Sequence, residues 1–365
     1  MLAFVRSATL RGIDGQLVTV EVHVSRGLPG YTVVGLPDAS GRESRERVRA
    51  ALLSSRLEWP MRRVTVNLAP ADVRKNGAGL ELAIAIALTG ADDQLPAGVL
   101  DDVGVLGELG LDGRVRPVPG TLALVDALAH AGITRVIVPE ANACEAALVP
   151  GVEVRVARSL GELHCCLKGE MPWPDLPEPV PVPDGTLEEE LLDLAEVRGL
   201  TGAKHALAIA VAGAHHVLFI GPPGVGKTML ARRVPTITPP LSPAEALEVM
   251  KIHSAAGLAT DRGLSTRRPF RAPHHSASAV ALVGGGSARV RPGEISLAHR
   301  GTLFLDELAE FPPVVLDALR QPLEERVVRV SRASGTFAFP ADFLLVACCN
   351  PCPCGRVESS CRCSD

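Results

Sequence analysis

Aromatic residues are scarce, 3% of 365 residues, so any contact with nucleic acid cannot rest on a broad stacking platform. Positive charge is not in excess either. The 37 Lys and Arg face 41 Asp and Glu, a net charge of −4, which excludes a protein-wide attractive field for polyanions. A DNA-binding surface must therefore be local. No apolar run reaches the roughly 20 residues that span a bilayer; the longest, Ala203 to Ile220, is interrupted by Gly213, His215 and His216. The N-terminus, Met1-Leu2-Ala3-Phe4-Val5-Arg6, enters a strand-like alternation without the basic and apolar regions of a secretory leader. These absences predict a cytoplasmic protein with no membrane partner.

What is present is an ordinary globular composition, 47% hydrophobic and 21% charged, in a chain long enough for two domains. Residues 1–167 mix helix and strand patterns. Leu17 to Val24 alternates with period two, Tyr31 to Gly35 follows a Gly-Leu-Pro-Gly turn, and a helix starts near Asp38 or Ser40. Val64 to Leu68, Val136 to Pro139 and Val152 to Val156 read as strands; Leu80 to Leu88 and Thr121 to Ala131 read as helices. Residues 168–186 hold Pro172, Pro174, Pro177, Pro179, Pro181 and Pro183, a spacing that favours a stiff extended linker. Residues 187–365 form the second domain. It begins with a helical stretch from Leu187 to Ala212, broken at Arg198-Gly199. The continuous apolar runs Val217 to Ile220, Thr302 to Leu305 and Phe343 to Ala347 predict buried strands of a parallel sheet with helices on both faces.

Gly221-Pro222-Pro223-Gly224-Val225-Gly226-Lys227-Thr228 fits G-x-x-x-x-G-K-[ST] and lies between a predicted strand and helix. Glycines at these positions let backbone N–H groups curl around phosphates, Lys227 reaches the β and γ oxygens, and the Thr228 hydroxyl ligates Mg2+. The apolar strand Leu303-Phe304-Leu305 ends in Asp306 and Glu307. Beside a phosphate loop, Asp306 would complete the Mg2+ shell and Glu307 would polarise the attacking water. A third strand ends at Asn350, placed to hydrogen-bond the γ-phosphate or that water. The expected ligands are ATP and Mg2+.

Longer motifs carry a resemblance. Val197-Arg198-Gly199, Arg268-Pro269-Phe270-Arg271-Ala272-Pro273-His274-His275-Ser276, Gly284-Gly285-Gly286 and Pro292 to Gly301 belong to it, as do Leu319 to Glu324 and Asn350-Pro351-Cys352-Pro353-Cys354-Gly355. Together they resemble the magnesium-chelatase-like AAA+ ATPases of the YifB/ComM type. The resemblance implies an α/β protein: an N-terminal α+β Lon-protease-like domain, then a P-loop AAA+ domain. It implies a homo-oligomer, a hexameric ring, acting as a motor on DNA and promoting branch migration in recombination or natural transformation. Two alternatives stand beside it: a chelatase-type motor subunit for metal insertion, and an ATP-dependent Lon-like protease. In the family a helical lid with an arginine that reaches a neighbour's γ-phosphate follows the cysteine cluster. The sequence stops at Ser364-Asp365 without it, so slow hydrolysis and poor assembly are expected.

The Lon-like match rests on Gly113-Arg114-Val115-Arg116-Pro117-Val118-Pro119-Gly120 and on Val138 to Asn142. Where Lon has its serine, this chain reads Lys75-Asn76-Gly77-Ala78-Gly79-Leu80-Glu81; where it has its lysine, Thr121-Leu122. Both reactive groups are missing, which predicts a non-proteolytic domain.

Two clusters remain. Between Arg262 and Arg300 lie Arg262, Arg267, Arg268, Arg271, Arg289, Arg291 and Arg300 with Glu294 as the one acid, a local basic region suited to DNA phosphates without base readout. The same arginines would serve a structural loop network, and sequence does not separate the two. Replacing Arg267, Arg268 and Arg271 together is expected to weaken DNA binding. Finally, Cys352, Cys354, Cys361 and Cys363 form two C-x-C pairs, enough for a tetrahedral Zn2+ site or for four free thiols. Cys348 and Cys349 belong to the preceding strand.

Overall fold

The alternation from Leu17 to Val24 folds as a long strand whose Val18, Val20, Val22 and Val24 are all buried. The computed structural model describes residues 1–35, 39–71, 73, 75, 77–178, 192–258, 264–286, 290–332 and 335–352. The chain divides into two compact units, Met1–Val180 with His253–Gly263, and Pro181–Ile252 with Leu264–Asp365.

The first unit runs β1 (Leu2–Arg11), β2 (Asp14–Ser25), β3 (Gly30–Val34), α1 (Ala39–Ser54), β4 (Arg63–Ala69), α2 (Glu81–Ala91) and β5 (Val103–Val105). It continues through β6 (Glu108–Leu109), β7 (Val115–Arg116), α3 (Thr121–His130), β8 (Arg135–Pro139), α4 (Ala143–Ala146), β9 (Glu153–Ala157) and α5 (Leu160–Lys168). Seven strands form one sheet in the order β3-β4-β2-β1-β5-β8-β9. The β1–β2 and β2–β4 pairs are antiparallel and the other pairs parallel, which makes this an α+β unit. The apolar run Leu82 to Leu88 is buried all round, so α2 is a central helix rather than an amphipathic surface one. Residues beyond α5 do not leave this unit at once. Trp173 packs against its core with the Arg155 guanidinium 5.5 Å from the ring centre, and the Cys144 thiol donates to the Pro177 carbonyl at 3.4 Å. Leu187 to Leu191, the start of the predicted helix, lie outside the described residues.

At the start of α2 sits a fully buried carboxyl, Glu81. Its Oε2 accepts the Leu109 N–H at 3.1 Å, and the Arg47 guanidinium lies 3.4 Å from Oε1. Burial raises its pKa from 4.5 to about 7, opposed by the Leu109 N–H and the Arg47 charge. The folded chain therefore holds more protons than the unfolded chain between about pH 4.5 and 7. This contribution to stability is fully present below the lower value and is lost as pH rises through the upper one, by at most about 3 kcal/mol. Glu81→Gln should flatten that part of the stability profile, measured by denaturant unfolding at several pH values. A slope identical to wild type would contradict the assignment.

The second unit runs α6 (Thr201–Gly213), β10 (Val217–Ile220), α7 (Lys227–Ala231), α8 (Val234–Ile237), α9 (Pro243–Ala256), β11 (Phe270–Arg271), α10 (Ala279–Val283), β12 (Gly284–Gly285) and β13 (Arg291–Pro292). Then follow α11 (Glu294–Leu297), β14 (Thr302–Leu305), α12 (Pro313–Asp317), α13 (Arg320–Glu325), β15 (Val327–Arg332), β16 (Gly335–Pro340) and β17 (Leu344–Cys349). Four strands form a wholly parallel sheet in the order β10-β17-β14-β11. The β14 strand is buried throughout, as its apolar run requires. The β10 strand departs from the expected burial: Leu218 is 50% and Ile220 66% exposed. Among the described residues β10 is an edge strand with β17 as its one neighbour, so one face keeps solvent contact. The single helix predicted after the phosphate loop is also divided, into α7 and α8. Pro235 has no N–H to continue the ladder, and it lies in the first turn of the second piece.

Candidate nucleotide site

Three parallel strands deliver their C-terminal ends to one edge of the sheet. In register, Ile220 pairs with Cys349 and Leu305 with Ala347, so Gly221, Asp306 and Asn350 emerge side by side. The Gly221 N–H closes the edge on the Cys349 carbonyl at 3.3 Å. Gly224 and Gly226 take φ of 83° and 95°, left-handed values that a side chain resists, and between them they turn the loop back onto α7. A Cβ on Gly226 would also lie 3.0 Å from the Met229 methyl and 3.2 Å from a Leu200 methyl.

The loop surrounds its own lysine. Lys227 Nζ donates to the Gly221 carbonyl at 2.6 Å, the Pro222 carbonyl at 3.0 Å and Asn350 Oδ1 at 3.0 Å. No carboxylate is among these partners, so the ammonium charge is not cancelled within the loop. The Thr228 hydroxyl donates to Asp306 Oδ2 at 2.8 Å, and the other Asp306 oxygen accepts the Glu307 N–H at 3.0 Å. A hydroxyl and a carboxylate in contact are the hard oxygen donors that Mg2+ takes, usually with water and substrate phosphate completing the shell. The cavity over these groups measures about 460 Å3; its lining includes Gly224, Gly226, Lys227, Thr228, Asp306, Glu307 and Asn350. Pro223 and Met229 border it as well.

Glu307 stands apart from its neighbours. Its backbone sits at φ 51°, a left-handed conformation uncommon for glutamate, and its side chain is 55% exposed. The carboxylate lies 3.4 Å from His275 Nδ1. Sequence alone marks His275 as part of a motif and assigns it no role. Behind the loop, buried Arg233 donates to the Asp193 carbonyl at 2.9 Å and the Met229 carbonyl at 3.1 Å, fastening the segment before α6 to α7. Cys348, in the cavity lining, has its thiol pushed up to about 12 by burial and then by the Asp306 charge, so it stays protonated.

The arginines of the basic region divide into two groups. Arg268 donates to the Pro239 and Arg300 carbonyls, each at 2.7 Å, and Arg271 forms a two-pronged pair with Glu294 at 2.6 and 2.8 Å. Arg300 is held by Glu248 at 3.1 Å and Asp342 at 3.0 Å. These three are tied to carbonyls and carboxylates of their own unit, which favours the structural network over DNA contact for Arg268 and Arg271. Arg267 and Arg291 are exposed and pair with no carboxylate among the described residues. Arg332, on the neighbouring ribbon, is exposed too, with one guanidinium nitrogen 3.0 Å from where a Gly285 Cβ would stand. Arg262 and Arg289 lie outside the described residues, as do Cys354, Cys361 and Cys363. Cys352 is half-buried, and no cluster of three metal-binding side chains occurs among the described residues.

In the first unit, Thr121 occupies the position expected for a Lon lysine; it is buried and its hydroxyl donates to the Val118 carbonyl at 2.8 Å. Lys75 is fully buried as well, its ammonium donating to the Gly35 carbonyl at 3.3 Å and to the Pro70 carbonyl. No helix among the described residues is long and apolar enough to cross a membrane.

A parallel sheet whose strand ends carry a glycine loop with its lysine, an Asp-Glu pair and an asparagine defines the P-loop ATPase class. Residues 193–365 match the family described as magnesium chelatase, subunit ChlI, and residues 20–142 match subunit ChlI of Mg-chelatase. An uncharacterized protein of Mycobacterium tuberculosis is 48% identical over 98% of this chain and 71% of its own length. The competence protein ComM of Haemophilus influenzae is 45% identical over 97% of this chain and 70% of its own, and the uncharacterized protein YifB of Escherichia coli 43% over 98% and 70%. Lon protease 1 of Thermus thermophilus is 30% identical over 41% of this chain and 20% of its own length. The chain belongs to the magnesium-chelatase-like AAA+ ATPases of the YifB and ComM type, with a Lon-like similarity alongside.

Proposed function

We propose that this chain binds Mg-ATP at Gly221 to Thr228 and hydrolyses it with Asp306, Glu307 and Asn350, as a subunit of a hexameric ring that moves on DNA. The observation that carries the ATPase part is the convergence of Lys227, Thr228, Asp306, Glu307 and Asn350 on one cavity. Lys227 exchanges its carbonyl partners for the β and γ oxygens of ATP. Thr228 and Asp306 hold Mg2+, which when bound neutralises charge on the phosphate oxygens. Glu307 takes the proton of a water that attacks the γ-phosphorus, the bond to the bridging oxygen breaks, and ADP leaves with Asn350 steadying the γ-phosphate.

The DNA part is supported by the exposed Arg267, Arg291 and Arg332, and by likeness to a relative named a competence protein. Branch migration during recombination or natural transformation is the specific activity we assign. Few aromatics, and exposed arginines with no carboxylate partner among the described residues, favour contact with phosphates over bases. A proteolytic reading is disfavoured, because the Lon-like region has Thr121 in place of a lysine and no serine between Lys75 and Glu81. ATP turnover with and without single-stranded and forked DNA tests the proposal; a rate indifferent to DNA would return the chain to the chelatase-type reading.

The two groups of arginines separate experimentally. Replacing Arg267 and Arg291 with alanine should weaken DNA binding and lower the salt slope by about 0.7 to 0.9 for each phosphate no longer neutralised. Arg271→Ala should lower the melting temperature, because it strands Glu294. Full DNA affinity in the Arg267/Arg291 double variant would place the DNA-binding surface elsewhere.

A further inference from the structure

We infer that His275 is a positioning residue for Glu307, holding the carboxylate where it can activate water. The inference rests on the reading of Glu307 as the base. The two residues meet because of the sheet. Strands β11 and β14 are parallel neighbours with Arg271 paired to Leu303. The chain leaves β11 through Ala272, Pro273 and His274 to His275, and leaves β14 through Asp306 to Glu307. Adjacent strands lie about 4.8 Å apart, so the two exits open onto the same point.

Two neighbouring rings flank the imidazole. Its ring centre lies 4.0 Å from that of His274 and 6.4 Å from Phe311, whose ring stands edge-on. His274 is fixed in turn by Ser276, whose hydroxyl is 2.8 Å from its Nδ1 and whose N–H donates to the same nitrogen at 3.3 Å. At the root of this segment Arg271 is pinned by its two-pronged pair with Glu294. Glu307 lacks such anchoring. It is more than half exposed, its backbone is left-handed, and His275 is the described partner of its carboxylate. A glutamate side chain with three rotatable bonds and an exposed head samples many rotamers, and few of them face an attacking water. One contact from a ring packed between His274 and Phe311, 3.4 Å long, selects among them. Displacing a catalytic group by about 1 Å lowers a rate about 100-fold, so this selection reads out in turnover. His275 is not among the residues that line the cavity, so its effect passes through Glu307.

The test is single-turnover ATP cleavage by the full chain, with ATP affinity measured in parallel, for wild type, Glu307→Gln, His275→Ala and His275→Gln. His275→Ala should cleave about 10- to 100-fold more slowly with nearly unchanged ATP affinity. His275→Gln, whose amide N–H can donate to the Glu307 carboxylate from a side chain of similar reach, should recover most of the rate. Cleavage by His275→Ala at the wild-type rate overturns the inference. So does a loss of ATP affinity that accounts for the slower rate, or a glutamine variant as slow as the alanine one. Should Glu307→Gln cleave as fast as wild type, the reading of Glu307 itself falls. A slow Glu307→Gln beside a fast His275→Ala removes only the role of His275.

Discussion

Lys227→Ala is expected to lose tight ATP binding while keeping its fold. The ammonium makes three hydrogen bonds, to the Gly221 and Pro222 carbonyls and to Asn350, and no ion pair among the described residues. Its charge is therefore free to meet phosphate oxygens. Charge-assisted bonds contribute about 1.5 to 3 kcal/mol each. Removing two of them at the β and γ oxygens weakens binding about 100- to 10,000-fold, at 1.4 kcal/mol for each factor of ten. The cavity opens to solvent and Lys227 lies at its wall rather than in a core, so truncation leaves no sealed void. Titration calorimetry with ATP reads the effect directly, and a thermal melt reports on the fold. Equal affinity in variant and wild type would remove the basis for placing nucleotide at this loop.

Glu307→Gln should do the opposite: bind ATP and fail to cleave it. Glutamine keeps the length of the side chain and is no worse suited than glutamate to a backbone at φ 51°, so the turn after β14 is unaltered. Asp306 and Thr228 keep their 2.8 Å contact, which leaves the Mg2+ donors intact. What disappears is the negative charge that accepts a proton. General-base catalysis contributes about 100- to 10,000-fold, and the cleavage rate should fall within that range. Phosphate release at saturating ATP is the measurement. Turnover near the wild-type rate would move the base to another group.

Much of the fold was legible because it is written locally. The alternation at Val18, Val20, Val22 and Val24 and the apolar run of α2 need only neighbours in sequence to declare a half-buried strand and a buried helix. The phosphate loop is eight consecutive residues with glycines where φ turns positive, so its identity survives without a structure. The misjudged parts depended on partners far away in the chain. An apolar run such as Val217 to Ile220 reads the same in a central strand as at an edge, and position in the sheet is a matter of which strands pair. An arginine cluster likewise reads as basic whether its charges are free or spent. Arg271 and Arg300 turned out to face Glu294, Glu248 and Asp342, acids at separations no local pattern reports.

The chemistry available to this protein follows from its residues alone: a lysine and a threonine on a glycine loop, two acids after an apolar strand, no Lon serine or lysine, and few aromatics. Which of these groups lie together was decided by the folded sheet. Asn350 reaches Lys227 across 123 residues because β17 lies between β10 and β14, and His275 reaches Glu307 because β11 lies beside β14. The physical reason is range. Backbone conformation follows from each residue and its near neighbours, whereas strand order is chosen by burying the apolar faces of the whole sheet at once.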